Sequence, residues 1–391
     1  METKHIIYKN FSNNKQIQNK KKLTNFLNFK NLLKKYPLLN SLTNNYKYSF
    51  KKNNLKKLKK FNEFNLIGMG GSILGSQAIY DFLRYKIKKK IFFFGNLQNF
   101  KISESKIKRL NIIISKSGNT LETLSNLNLI LTKQKKNKNL IITENNNSIL
   151  RFMANKLRSD VLDHKNYIGG RFSVLSEVGM VPSELMGLNE KKFKRLNYLI
   201  KNKSFTNYLI HNVSSIHSNI VRGKKNSVIL NYDEKLNNLL NWYQQLSAES
   251  LGKKGKGFFP IISQMPKDNH SLLQLYLDGP KNNFFSFFIS RERNPFRFNN
   301  NYLIEGLDHL YKKNIDQVLR AQQKATQKVF KTKKLPFRSF EIIKRSEETL
   351  GELFTFFILE TLMLSTLLNV NPINQPSVEL IKIETKKILK K

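Results

Sequence analysis

From Phe64 onward the chain alternates short apolar runs with longer amphipathic ones, and this rhythm restricts the fold more than any other feature. FNLI (64–67) precedes a helix-compatible run from Ser72, IFFF (91–94) follows, NIII (111–114) precedes a helix from Thr120, and LIIT (140–143) precedes Ser148 to Leu157. Runs this short and this apolar read as strands buried on both faces. Their alternation with helices predicts a parallel, doubly wound sheet. The helix after Thr120 is expected to bury Leu121, Leu124, Leu127 and Leu131, spaced by three, three and four residues. A second series begins at SVILNY (227–232), continues through a helix from Lys235 to Leu251 with a stripe of Leu236, Leu239, Leu240, Tyr243 and Ser247, and reaches FFSFFIS (284–290). The fold class expected is α/β: two doubly wound, flavodoxin-like lobes over 58–198 and 199–313, with an N-terminal helical arm (1–57) and a C-terminal helical segment (314–391).

A chain of 391 residues can bury a large core without covalent staples. It has no cysteine, which excludes a disulfide framework, a thiol nucleophile and cysteine-ligated zinc. The six histidines are scattered, with no HxxxH or HExxH pair, so no metal site is expected. A formal charge of +42 brings nucleic acid to mind. The excess lysine, however, travels with excess asparagine, isoleucine and phenylalanine along the whole chain, as A/T-rich codons would produce, and no RNP, zinc-finger or basic-helix motif accompanies it. No specific nucleic-acid partner is expected, whereas attraction of a small anionic substrate fits. METKHIIYKNF lacks an apolar core of signal-peptide length, and LGELFTFFILETLMLSTLLNV (350–370) carries Glu352 and Glu360, which a bilayer would penalise. The expectation is a buried helix in a soluble, cytoplasmic protein with no membrane partner.

Ligands of doubly wound sheets sit beyond the carboxyl ends of the strands, and two candidate anion loops fall there. GMGGS (68–72) lets backbone approach a ligand at the start of a helix, although its spacing fits neither the Rossmann fingerprint nor the P-loop, and a structural turn is the alternative. ISKSGNTLET (114–123) gathers Ser115, Lys116, Ser117 and Thr120 before the next helix. Helix capping accounts for Thr120 with Glu122 but not for the whole set. GGRFSVLSEVGMVP (169–182) sets Arg171 behind two glycines, where a guanidinium can reach a ligand or lie on a surface. In WYQQLSAESLGKKGKG (242–257), Glu249 projects near the Trp242 edge, where an aromatic neighbour could raise a carboxyl toward the range of a working base. A solvated helix-end glutamate is the alternative. DNHSLLQLYLDGP (268–280) offers His270 before an apolar run.

Taken in this order, these stretches together with NPINQPSVELIK (371–382) resemble the glucose-6-phosphate isomerase (phosphoglucose isomerase) family in its shorter bacterial form, from about Gly68 to Lys382. The resemblance implies two sugar-isomerase lobes, a homodimer with a shared site, no cofactor and no metal. It implies that Gly71, Ser72, Ser115, Lys116, Ser117 and Thr120 hold a sugar phosphate, and that Glu249 moves a proton between C1 and C2. By the same resemblance Arg171 stabilises the enediolate, while His270 from the neighbouring subunit and Lys382 help open the ring. Ser377 and Ile381 stand where the family usually has glycines, a departure that bears on Lys382. A broader isomerase that also accepts mannose 6-phosphate and a non-catalytic sugar-phosphate sensor are the competing readings.

Overall fold

In a computed structural model, residues 1–11, 19–97, 107–134, 137–291 and 296–390 are described. Two five-stranded sheets carry the fold. The first runs in the order β3-β2-β4-β5-β6, all parallel, and is built from β2 (Glu63–Gly68), β3 (Lys90–Phe94), β4 (Leu110–Ile114), β5 (Lys138–Thr143) and β6 (Asp160–Asp163). The chain leaves β2 to one side for β3 and then crosses to the other side for β4. The strand order therefore reverses between β2 and β4, where Gly68 pairs with Ile114. Asn65, Asn111 and Asn139 occupy one register across β2, β4 and β5, and each buried amide donates to the next at 2.8 Å. Asparagine inside three apolar strands is thus a ladder of amide-to-amide hydrogen bonds, and Asn65 also donates to Gln134 Oε1 at 3.0 Å.

The second sheet has the order β1-β10-β9-β7-β8, from β7 (Asn226–Asn231), β8 (Phe259–Gln264), β9 (Asn283–Ser290), β10 (Phe337–Ile342) and β1 (Ile6–Lys9), with only β1 antiparallel. Its own reversal lies between β7 and β9. There the buried Arg345 pairs with Asp233 and donates to Ser290 Oγ at 3.1 Å, so protein side chains fill that position.

Two strands depart from the expected helical flanks. Ile6 and Tyr8 are buried while Lys9 is exposed, a period-two pattern too short to stand out in the sequence. In β10, Arg338 interrupts the apolar run, yet it is fully buried and paired with Glu360, 22 residues further on. Helices that matter for the site are α1 (Leu74–Phe82), α2 (Leu121–Lys133), α3 (Lys203–Val221), α4 (Asn237–Leu251), α5 (Glu347–Leu368) and α6 (Pro376–Ile388). Along α2 the buried face is Thr123, Asn126, Leu127 and Ile130 while Leu121 is exposed, so the stripe is rotated from the leucine row expected. The expected stripe of α4 is buried throughout. Helix α5 is long and apolar enough to cross a membrane by length and composition, but it is packed inside the protein. Glu352 accepts from Thr3 and Tyr8 at 2.8 Å, and Glu360 accepts from Tyr243 at 2.7 Å, so its carboxylates have partners in the core.

Candidate functional site

The two glycine- and serine-rich loops leave adjacent strands, β2 and β4, on either side of the reversal in the first sheet. After β2 the chain makes a tight turn, Gly70–Ser72. A Cβ on Gly71 would fall 2.2 Å from the carbonyl carbon of Gly170 and 2.5 Å from the nitrogen of Arg171. Glycine is thus required because this turn packs backbone to backbone on the turn Gly170–Leu175, which bears Arg171. The glycine cluster was expected to admit a ligand; on its side-chain face it admits the arginine turn instead. A Cβ on Gly70 would fall 2.7 Å from Gln245 Nε2 of α4, so three elements meet at one point.

Arg171 stands at that meeting and is 4 % exposed. Its Nε donates to Ser250 Oγ at 2.9 Å, and Nη1 donates to Glu249 Oε2 at 2.9 Å and to Gln375 Oε1 at 2.8 Å. Nη2 donates to the carbonyls of Pro372, Ile373 (2.9 Å) and Asn374 (3.2 Å). Burial lowers the Arg171 pKa and the Glu249 carboxylate opposes that shift, leaving a guanidinium that stays charged. Glu249 is held at both oxygens, with Gln245 Nε2 donating to Oε1 at 2.8 Å. Trp242 turns into the core against Phe354, so the surroundings of the carboxylate are polar ones and not the indole edge that the sequence suggested.

Beyond β4, the Oγ atoms of Ser115 and Thr120 lie 2.9 Å apart, Gly118 N donates to Ser115 Oγ at 3.2 Å, and Asn119 N donates to Ser117 Oγ at 3.3 Å. Thr120 sits at the N-cap of α2 without capping it through its side chain, so capping does not explain the hydroxyl. Ser117 is exposed and Ser72 half-buried. The Lys116 ammonium turns away, donating to Asn166 O at 2.9 Å and lying 3.4 Å from Glu144. What Lys116 brings to the loop is its backbone.

The remaining two candidates stand apart. His270 closes the short turn Lys267–His270 after edge strand β8 and is exposed, and Lys382 lies on the exposed helix α6, paired with Glu379 at 2.6 Å. Among the described residues, no hydrogen bond or ion pair joins either to Arg171 or Glu249. Gln245, Ser250 and Gln375, by contrast, surround the pair and were not singled out from sequence, where an amide or hydroxyl carries no chemical signature of its own. The nearest signal was their place, four residues before Glu249, one after it, and within NPINQPSVELIK. Among the described residues no cluster of three or more His, Asp or Glu could hold a metal ion.

A two-lobed α/β protein with a carboxylate–guanidinium pair and hydroxyl-rich loops at a strand-order reversal belongs to the class of doubly wound proteins that carry their ligand sites beyond the strand ends. The family model for phosphoglucose isomerase matches residues 47–258. A glucose-6-phosphate isomerase of Methanocaldococcus jannaschii is 33% identical over 358 residues, covering 86% of this chain and 86% of that protein. Among solved structures, a hypothetical protein from Thermus thermophilus superposes with a TM-score of 0.80 at 23% identity, covering 95% of this chain and 94% of that one. A glucose-6-phosphate isomerase from Chlamydia trachomatis gives 0.67 at 21% identity, covering 87% and 72%. The chain belongs to the phosphoglucose isomerase family.

Proposed function

We propose that this chain is an aldose–ketose isomerase that interconverts glucose 6-phosphate and fructose 6-phosphate in the cytoplasm, as a step of glycolysis and gluconeogenesis. The observation that carries the reading is the 2.9 Å contact between Arg171 Nη1 and Glu249 Oε2 beside the first sheet's reversal. The reaction takes a weakly acidic C–H beside a carbonyl, so it needs a base and a fixed cation where negative charge develops. Glu249 removes the C2 proton of the open-chain aldose, the carbonyl oxygen at C1 takes up the negative charge, and Arg171 faces that enediolate. The O2 hydroxyl proton passes to O1, and return of the proton from Glu249 to C1 then forms the C2 carbonyl of the ketose. No electron leaves the substrate, so the chemistry calls for no redox cofactor.

The phosphate is held, in this reading, by Ser72, Ser115, Ser117 and Thr120 with the backbone around Gly71 and Lys116, at the N-terminus of α2. Rigid grip on this unreactive end orients C1 and C2, and part of that binding energy is realised in the transition state. His270 is contributed by a second copy of the chain in a homodimer, which accounts for its exposure here, and Lys382 joins it in ring opening. The test is a coupled assay in which fructose 6-phosphate is supplied and glucose 6-phosphate formation is followed through nicotinamide reduction. Reduction that depends on this chain is expected, and its absence contradicts the proposal.

A further inference from the structure

Besides Arg171, a second cation reaches the segment Asn371–Gln375. Helix α4 ends at Leu251, and the chain then doubles back through GKKGKG (252–257). Gly257 takes a φ of +100°, and a Cβ there would lie 2.9 Å from the Leu251 carbonyl oxygen, so the return depends on glycine. This turn delivers Lys253 Nζ to the carbonyl of Asn371 at 2.6 Å and to that of Ser250 at 3.1 Å. Arg171 takes the next three carbonyls, of Pro372, Ile373 and Asn374, and the Ser250 hydroxyl. Two cations therefore clasp four successive carbonyls, and Ser250 is held by both, its hydroxyl by one and its carbonyl by the other.

We infer that Lys253 is a positioning residue for the isomerisation: it fixes the Asn371–Gln375 segment to the end of α4, so that Arg171 and Glu249 keep their orientation as substrate enters. The inference rests on the isomerase reading above. Facing an enediolate requires Arg171 to exchange bonds at Nη1, where Glu249 and Gln375 now sit. During that exchange Lys253 holds the segment and the helix end independently of Arg171, whose Nη2 and Nε bonds run to the same two places. A purely structural lysine would need no such place between the reacting pair and the segment that orients it.

The charged groups facing Lys253 are Arg171 and Glu249 on the site side, and Lys225, Lys254 and Lys256 around a cavity of about 760 Å³ on the other. Lys256 is itself anchored on the Leu368 carbonyl at 2.8 Å. Burial and then the Arg171 charge push the Lys253 pKa down to about 8, with Glu249 opposing. Lys253 is thus a cation at neutral pH and loses its charge, and with it the charge-assisted part of its grip, as pH rises through that value.

The experiment measures kcat and KM for fructose 6-phosphate from about pH 6.5 to about pH 9.5 in the wild type, Lys253→Arg and Lys253→Met. The wild type should lose kcat above about pH 8. In Lys253→Arg that basic limb should vanish, because a guanidinium stays charged; the limb is read from the shape of the profile, whatever its height. Lys253→Met should lower kcat about 10- to 100-fold with KM within about threefold. A Lys253→Met enzyme with wild-type kcat at neutral pH, or a Lys253→Arg profile whose limb coincides with the wild type's, overturns the assignment. If Lys253→Met does not fold, the Lys253→Arg profile decides alone. A wild type without turnover would instead overturn the isomerase reading, and this assignment with it.

Discussion

Arg171 has both a structural and a chemical position. Its planar fork clasps a carboxylate, an amide, a hydroxyl and three carbonyls at once, a geometry that a lysine cannot reproduce from a single point charge. It reaches that place because Gly71, lacking a Cβ, lets its turn touch the backbone of Gly170 and Arg171. Gly71→Ala is therefore expected to force the turns apart, lowering the unfolding free energy by about 1–3 kcal/mol and displacing Arg171 enough to cut turnover, as urea denaturation and the coupled assay would register. Unchanged stability and turnover would contradict the backbone-contact account. Glu249 and Arg171 stand out in the sequence as a carboxylate and a guanidinium within their motifs, each with a surface alternative that the residues alone left open, and only the family resemblance gave them roles. Gln245 and Gln375 do not stand out, since their role arises only from what the folded chain sets within hydrogen-bond reach.

At the scale of elements, the turn Gly170–Leu175 is braced from behind by Lys194. This buried ammonium donates to the carbonyls of Ser41 and Leu175 and lies over the rings of Tyr46 and Tyr48 at 5.1 and 4.8 Å. It ties the N-terminal segment to the element that presents Arg171. Burial pushes its pKa down to about 7, with Glu177 and Glu190 opposing. The unfolded chain keeps that proton up to about pH 10.4, so between the two values the unfolded state binds more protons and stability rises with pH. This contribution is lost as pH falls through about 7. Urea unfolding at about pH 7 and about pH 9 should show a larger gain for the wild type than for Lys194→Met; equal gains would contradict the assignment.

The same scale shows which elements the sequence reveals. Strands β2, β4, β5, β7 and β9 are apolar nearly throughout and bounded by polar residues, so they are visible as runs. Edge strand β1 has four residues, and β10 hides behind the charge of Arg338, whose neutralising partner Glu360 lies 22 residues further on. Pairing across that distance is a tertiary fact, and no local pattern reports it.

For the whole molecule, the two sheets are joined by α4 and α5, and α4 carries Glu249 at its end while its Tyr243 is bonded to Glu360 of α5. The first sheet's reversal is flanked by hydroxyl loops, whereas the second is filled by Arg345 and Asp233, so the proposed phosphate grip falls to the first lobe alone. If the second copy of a homodimer supplies His270, then mixing two inactive variants, His270→Ala and Glu249→Gln, should restore turnover. A mixed dimer would hold one site with both residues intact. No recovery after subunit exchange would contradict a shared site.

The central claim is that Glu249 carries the proton between C1 and C2 on a substrate gripped elsewhere by its phosphate. Its most direct test follows deuterium uptake from heavy water into the sugar by NMR, for the wild type and Glu249→Gln, alongside the affinity of each for a hexitol 6-phosphate that cannot isomerise. Exchange should fall by about 10²- to 10⁴-fold while affinity changes by less than about threefold. Exchange that persists in Glu249→Gln, or affinity lost in step with turnover, would contradict that claim.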